Sequence, residues 1–537
     1  MGGKHCLRGS IGACEPSKRY SHRGLGLGMP RRTLMHTPDK LGLVSVVALL
    51  AGCATSSLDL APAAPNVPWT PSTGSGGEII AGAPPSTTAP RSNSYVLPSN
   101  AKAAGEARAP AELDKSHSYT LAELIDLAQS HNPSTRVAWE NARDAALATG
   151  IARAAYLPSL SASVVGAYQT GHNINVTGSI SAISVQWLLF DFGERDAVVS
   201  AAEQVSVIAN IGFTAAHQDL IYRVALAYYT HMAAQARVGT AEKALRNAKE
   251  VQAAAESRYA QGVGTIVEVA QARQGTAQGE LSQVQASGQA QDSYVTLLAT
   301  MGVSPLTQIK VADLGERKLS AALIAPTDQI VTEALARRPD VLSAYAAHEA
   351  SLAKLRAAQA EFMPKLFLSA TGSYTSNTLA VSTLPGLGQG ASQLPPTINV
   401  PSTHYGATVL LGVTVPIYDG GLRRALEGQA RADAAKTDAR LEQIRDEATR
   451  EVVGASNQVH TSLSALDAAH ALASAAQITF DAALDAYRHG VGSITDTTRA
   501  EIALLEAQNA STDAYSAALS SAATLALAAG TLGTAPE

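Results

Sequence analysis

Cysteine is nearly absent. The 537-residue chain has three, Cys6, Cys14 and Cys53, and none beyond position 53. Everything after that point can form neither a disulfide framework nor a Cys-ligated metal site, so its stability has to come from packing. Aromatic residues make up 5% of the chain and charged residues 16%. That scarcity, together with abundant alanine, fits close-packed helices better than a soluble core of large side chains. The Gly-x-x-x-x-Gly-Lys, His-Glu-x-x-His and Gly-x-Ser-x-Gly motifs are also missing. The chain therefore lacks the usual marks of phosphate binding, zinc proteolysis and serine hydrolysis, and an enzyme is not expected.

Residues 41–52 form a 12-residue apolar run behind Arg31, Arg32 and Lys40. This is too short to cross a bilayer as a helix and reads as a signal-peptide core, giving a signal peptide over residues 1–52. Leu50-Ala51-Gly52-Cys53 resembles a bacterial lipobox, which implies cleavage before Cys53 and acylation of its sulfur with palmitate-type lipid. No other cofactor and no metal are expected. A 40-residue basic lead is long for a signal, which leaves Met29 and Met35 as alternative starts. Removing residues 1–52 takes away eight basic and two acidic residues and moves the net charge from −5 to −11. No basic stripe remains for a phosphate backbone, so no nucleic-acid partner is expected. Residues 53–117 are rich in Pro, Ser, Thr, Gly and Ala without apolar periodicity and read as an extended tether.

What the chain does have is duplication. Pro133, Pro158, Gly166 and Tyr168 recur as Pro339, Pro364, Gly372 and Tyr374, 206 positions later. Phe190, Asp191, Gly193 and Arg195 recur as Tyr418, Asp419, Gly421 and Arg423, and Tyr259, Gly262 and Gly264 as Tyr487, Gly490 and Gly492, all offset by 228. The 22-residue difference is a Pro- and Gly-rich insertion at about 379–401, expected as a surface loop at a barrel mouth. A repeat of this length is two halves of one architecture rather than a solenoid.

Each half reads as one long helix with two shorter ones. Residues 193–260 contain no Pro, and 220–259 carry a 4,3 seam running from Leu220 and Val224 to Ala255 and Tyr259. Its only polar members are His231 and Gln252, and the shifted seam from Ala448 to Tyr487 has only Ser462. This is coiled-coil spacing, and at about 1.5 Å per residue such a helix is roughly 100 Å long. Helices over about 133–156 and 265–302, and again 339–361 and 493–530, have the combined length needed to pair with the long helices end to end. His231 is expected to be a packed interface residue rather than a ligand.

Between the first short helix and the long one, strands are expected at about 159–170 and 179–190. In the second half Val409, Leu411, Val413 and Val415 alternate with Thr408, Leu410, Gly412 and Thr414. Strands of ten to twelve residues match the roughly 9–11 that a tilted membrane-crossing strand needs. Four strands cannot close a barrel, and lipid does not tolerate an open edge, so closure requires further copies of the chain: two would give eight strands, three twelve.

The lipobox, the duplicated halves, the strand pairs and the helices ending in Tyr-x-x-Gly-x-Gly together resemble the TolC family of outer-membrane efflux and secretion channels, in its lipoprotein branch. The resemblance covers about residues 118–532. Its marks are Tyr156-Leu157-Pro158 with Phe362-Met363-Pro364, Phe190-Asp191-Phe192-Gly193 with Tyr418-Asp419-Gly420-Gly421, and the two glycine turns. It implies an α+β membrane protein: a homotrimer whose 12-stranded outer-membrane β-barrel, four strands per chain, continues as a long periplasmic α-helical coiled-coil barrel. The two internal repeats would be residues 118–318, with a strand pair at about 159–190, and 319–537, with a strand pair at about 365–418. It also implies passive conduction of substrates exported by an inner-membrane pump of RND or ABC type through a periplasmic adaptor, with the lipid on Cys53 anchoring the chain in the outer membrane. A type I protein-secretion duct is the alternative within the family. A periplasmic coiled-coil adaptor is the alternative outside it, but adaptors carry one hairpin rather than two duplicated halves with strand pairs.

In that family the Tyr-x-x-Gly-x-Gly hairpins form the periplasmic tip. Gly262, Gly264, Gly490 and Gly492 are its turn glycines, and Glu268, Tyr487 and Asp496 match the gating acid, gating tyrosine and constriction aspartate. Thr265 with Glu268, and Ser493 with Asp496, also fit capping boxes, which would explain both acids without a gate. The family arginine that pairs with the gating acid falls on Gly492, and its second constriction aspartate on Arg499. Asp496 and Arg499 are therefore expected to pair at i,i+3.

Overall fold

The computed structural model describes residues 65, 71–80, 95–97, 99–104, 113–171, 174–313, 315, 327–376 and 404–533. Cys53 with its lipobox and the 379–401 insertion lie outside the described residues. The chain divides into two compact units, Met1–Ala107 and Arg108–Glu537.

In the first unit, β1 (Ser72–Thr73) pairs antiparallel with β2 (Ile79–Ile80) across a glycine-rich turn, followed by the single-turn helix α1 (Ala101–Ala104). Lys102 Nζ lies 3.4 Å from Glu78 Oε2. The segment expected to be extended is thus interrupted by a local hairpin, because Gly74, Gly76 and Gly77 let the backbone reverse.

The second unit runs β3 (Ser118–Tyr119), α2 (Leu121–His131), α3 (Pro133–Ala154), β4 (Ser159–Gly171), β5 (Ile174–Phe190), α4 (Glu194–Ala260), α5 (Ile266–Met301), β6 (Lys310–Val311), α6 (Thr327–Arg337), α7 (Pro339–Ala360), β7 (Lys365–Thr375), β8 (Tyr405–Thr414), α8 (Leu422–Arg488) and α9 (Ile494–Ala528). The long helices α4 and α8 are each 67 residues, and α3 and α7 each 22. Helix boundaries fall within two residues of those read from the sequence. Strand β5 instead starts five residues earlier than expected, at Ile174. Strand β8 stops at Thr414, because Pro416 two residues on has no N–H to extend the ladder.

The shorter helices do abut end to end along the long ones. Gly302 closes α5 at φ +73, and a Cβ there would stand 2.8 Å from the Asn132 Cα at the start of α3. Asn132 Nδ2 donates to the Thr300 carbonyl at 2.8 Å. In the second half Arg338 fills the same role: its guanidinium donates to the Ala528 carbonyl at 3.0 Å and pairs with Asp340 and Glu451 at 2.7 and 2.6 Å. Helix α4 packs against α3, α5, α7 and α9, whereas α8 packs chiefly against α7 and α9. The helices thus follow the order α3 with α5, then α4, then α7 with α9, then α8.

Two 11-residue helices, α2 and α6, and the parallel β3–β6 pair were not expected from the sequence. Leu124, Ile125 and Ala128 of α2 enter a core with Leu220, Val224 and Tyr228 of α4 and Leu297, Leu298 and Met301 of α5. Thr120 and Glu123 form a full capping box at its start, and the Thr120 backbone N–H holds the Glu123 carboxyl down at about 2. His231 is buried on the seam as expected, 3.0 Å from Ser293 Oγ, and burial pushes its pKa down.

The four main strands form one antiparallel sheet in the order β4-β5-β7-β8. Its register sorts side chains by face. Leu160, Val164 and Tyr168 share one face with Ile183, Val185 and Trp187, with Leu368, Ala370 and Tyr374, and with Tyr405, Val409, Leu411 and Val413. That face is apolar and open: Val409 is 70% and Leu411 67% exposed. The other face carries Ser159, Ser161, Ser163, Ser184, Gln186, Ser369, Thr371, Ser373, Thr408 and Thr414. The Phe367 ring lies over Gly412 there, where a Cβ would come within 2.3 Å of it.

Each strand pair passes into its long helix through an aspartate clasp. Asp191 accepts from the Arg195 backbone N–H at 2.9 Å and its Nε at 2.8 Å, while Arg195 Nη1 donates to the Leu188 carbonyl at 2.6 Å. Gly193, at φ +91, allows the reversal. Asp419 and Arg423 repeat the clasp with a 3.1 Å ion pair, and the Arg423 backbone N–H holds the Asp419 carboxyl below its usual range. The first pair is the more buried, its side chains 11% and 6% exposed against 23% for both members of the second. Asp191→Ala leaves a buried guanidinium without its counter-ion and should lower stability by about 3–5 kcal/mol. Asp419→Ala should cost less; denaturant titration followed by helical circular dichroism would rank the two.

Candidate gate at the helical hairpins

The tip is two turns, α4 into α5 and α8 into α9, and each needs two glycines for different reasons. In the first, the N–H groups of Val263 and Gly264 both donate to the Arg258 carbonyl at 3.0 Å, and Gly262 sits at φ +74. In the second, Val491 and Gly492 donate to Ala486 at 2.9 and 3.0 Å, with Gly490 at φ +81. Gly262 and Gly490 supply the left-handed residue of a helix stop. Gly264 and Gly492 are required by space: a Cβ would lie 2.9 Å from the Tyr259 nitrogen in one and 3.0 Å from the Tyr487 nitrogen in the other.

Thr265 and Ser493 then start the return helices, accepting from the backbone N–H of Glu268 at 3.2 Å and of Asp496 at 3.1 Å. The expected capping boxes are only half made. The Glu268 carboxylate accepts instead from the Tyr487 hydroxyl at 3.2 Å, a donor on the other hairpin. Asp496, one carbon shorter, accepts from the Ser493 hydroxyl at 2.7 Å. Asp496 Oδ1 also lies 3.4 Å from Arg499 Nη1 with both side chains open to solvent, so Asp496 and Arg499 pair at i,i+3.

Tyr487 is 1% exposed, in a core of Val251, Ala255, Val269, Phe480, Leu484 and Leu504. Burial, and then the Glu268 charge, push its phenol above the ordinary tyrosine value, so it remains a hydrogen donor. Beside it is a residue that sequence reasoning missed. The Arg258 guanidinium is 5.0 Å from the Tyr487 ring and donates to the Tyr487 carbonyl at 3.0 Å, which ties the first hairpin to the second. Arg488 reaches Glu250 across the same junction at 3.0 Å. An arginine in place of Gly492 would not fit against Ala486, and the cation at this junction comes from Arg258 instead. The available signal was asymmetry: Arg258 precedes the first Tyr-x-x-Gly, and Ala486 precedes the second.

Near the tip, α5 and α9 border a groove of about 600 Å³ whose lining includes Gln271, Gln274, Gln278, Thr498, Arg499 and Glu501. Burial pushes Glu501 up to about 7. No cluster of His, Cys, Asp or Glu that could hold a metal occurs among the described residues.

Paired glycine hairpins at the end of 67-residue helices, joined to a sheet with one apolar face, define the TolC-like class of outer-membrane channel subunits. A profile described as "Outer membrane efflux protein" matches residues 124–303 and 330–531, and the chain belongs to that family. Protein CyaE of Bordetella pertussis is 29% identical over 342 residues, 63% of this chain and 68% of its own length. Outer membrane protein OprJ of Pseudomonas aeruginosa is 27% identical over 344 residues, 62% of this chain and 68% of its own. The solved structure of VceC from Vibrio cholerae aligns with a TM-score of 0.63 over 76% of this chain and 96% of its own, at 22% identity.

Glu501 sets a pH dependence. A carboxyl whose folded pKa is raised binds its proton more tightly in the folded state, so the ionised form opposes folding, increasingly from pH 4.5 upward and fully above about 7. Glu501→Gln should therefore raise the melting temperature at pH 8 and leave it unchanged at pH 4, as differential scanning calorimetry would register.

Proposed function

We propose that three copies of this chain form an outer-membrane efflux channel: a 12-stranded barrel in the membrane continued by a helical tunnel in the periplasm. It passively conducts substrates exported by an inner-membrane pump and handed on through a periplasmic adaptor. The observation that carries this reading is that sheet and helix layer share the same two unfinished edges. Strand β4, entered from α3, and strand β8, leaving into α8, are the outer strands of the sheet. Helix α3 with α5, and helix α8, are likewise the outer members of the helix layer. One neighbouring copy on each side would cover both edges at once.

Side-chain chemistry supports the same arrangement. The open apolar face of the sheet suits lipid, and the serine- and threonine-rich face suits a water-filled lumen. Tyr168, Tyr374 and Tyr405 at one end and Trp187 at the other sit where aromatic girdles lie in such barrels. Helix α3 leaves Val137, Leu147 and Ile151 open, and α8 leaves Leu422 and Leu426 open. Apolar surface of this kind on the two outer helices calls for cover by neighbouring copies. A periplasmic adaptor would have no use for a sheet with an open apolar face.

In this reading Glu268 and Tyr487 latch the tip, Asp496 with Arg499 forms a mixed-charge ring at the narrowest point, and the lipid on Cys53 anchors each chain. Protein purified from the outer membrane should open pores in planar bilayers, and Arg499→Asp should shift the reversal potential under a salt gradient toward greater cation selectivity. Unchanged reversal potentials would remove the charged ring from the mechanism. Cys53→Ser should abolish labelling by a palmitate analogue in intact cells; retained labelling would place the lipid elsewhere.

A further inference from the structure

Adding 228 to a residue number carries a position on the α4–α5 hairpin to its match on the α8–α9 hairpin: Tyr259 to Tyr487, Thr265 to Ser493, Glu268 to Asp496. Both turns have the same hydrogen bonds and glycine conformations, so the match is geometric as well as sequential. Within the chain the first hairpin presents Glu268 to Tyr487 of the second. In a closed ring of three chains the hairpins alternate, so each second hairpin faces the first hairpin of the adjacent copy much as first faces second within a chain. Applied to the Glu268–Tyr487 contact, the offset brings Asp496 of one copy against Tyr259 of the partner subunit.

We infer that the tip is sealed between subunits by a hydrogen bond from Tyr259 of the partner subunit to Asp496, and that this joint parts before the one within a chain. The inference rests on the trimeric channel reading. Both groups are available for it. Tyr259 is 50% exposed with no side-chain hydrogen bond among the described residues, whereas its buried match Tyr487 has a partner. The Asp496 side chain is 64% exposed, and a carboxylate that accepts from Ser493 and pairs with Arg499 still has lone pairs to offer.

The difference in strength follows from the other two links of the inner joint. Arg258, which donates to the Tyr487 carbonyl, becomes Ala486 under the offset. The Arg488–Glu250 ion pair becomes Ala260 and Ile478. Of three polar links within a chain, the joint between subunits keeps one. Asp496 is also one carbon shorter than Glu268, which makes even that link less forgiving of distance.

The test uses the full-length lipidated protein in outer-membrane fractions. A double variant, Tyr259→Cys with Asp496→Cys, treated with a short bis-maleimide, should give chain-to-chain products up to three chains, and neither single variant should. Absence of those products in protein that native mass spectrometry finds trimeric overturns the inference and leaves the channel reading standing. Protein that is not trimeric overturns both. In planar bilayers Tyr259→Phe and Asp496→Asn should each raise the open fraction about tenfold, and the two together no further, since both remove one charge-assisted hydrogen bond. Additive effects count against a shared bond. An Arg258→Gln variant that opens the pore more than Tyr259→Phe overturns the assignment of the weaker joint.

Discussion

Unpaired backbone N–H and C=O groups in hydrocarbon cost several kcal/mol each, and the outer strands β4 and β8 each present a row of them. No side chain in the sheet can relieve that penalty; only another strand can. The same demand continues beyond the sheet, because α3 and α8 inherit the outer positions from the strands they adjoin. In the proposed trimer a neighbouring copy would meet both demands at once, and the long helices, apolar face and paired hairpins would then be parts of a closed wall.

Duplication is the economical way to make such a subunit. One plan of short helix, strand pair, long helix and short helix occurs twice, with 22- and 67-residue helices matched in length. The copies differ in how matched joints are held. Asn132 joins the helix ends in one half, whereas Arg338 with Asp340 and Glu451 joins them in the other. Arg258 has no twin at the tip. The first departure lies within each half, whereas Arg258 lies where the two halves meet.

Much of this was legible from the chain because its signals are local and periodic. The seam from Leu220 to Tyr259 and its copy locate the long helices, and the glycine turns locate their ends. Period-two alternation was clear only in β8. In β4, Ser159, Ser161, Ala162 and Ser163 are all small, so the facing of that strand emerges only from its register with β5. Helix α2 escaped notice although Thr120 and Glu123 announce its start, because 11 residues beside a 67-residue neighbour add little periodic signal. At the tip, the four glycines were singled out by motif and spacing, and Glu268, Tyr487, Asp496 and Arg499 by the family resemblance. Arg258 was not, because its partner carbonyl lies 229 positions away and only the folded chain brings them together.

The end-to-end abutment of α5 with α3 has a consequence for how the molecule comes into being. The hydrogen bond from Asn132 to Thr300 spans 168 residues, and the bond from Arg338 to Ala528 spans 190. Neither short helix can take its final place until the polypeptide has run out along the long helix and returned from the tip. Closing loops of that size is entropically slow, and contacts of such wide separation tend to form late. Each half thus waits for its own distant end, so the newly made chain must remain unfinished until its last helix has returned from the tip.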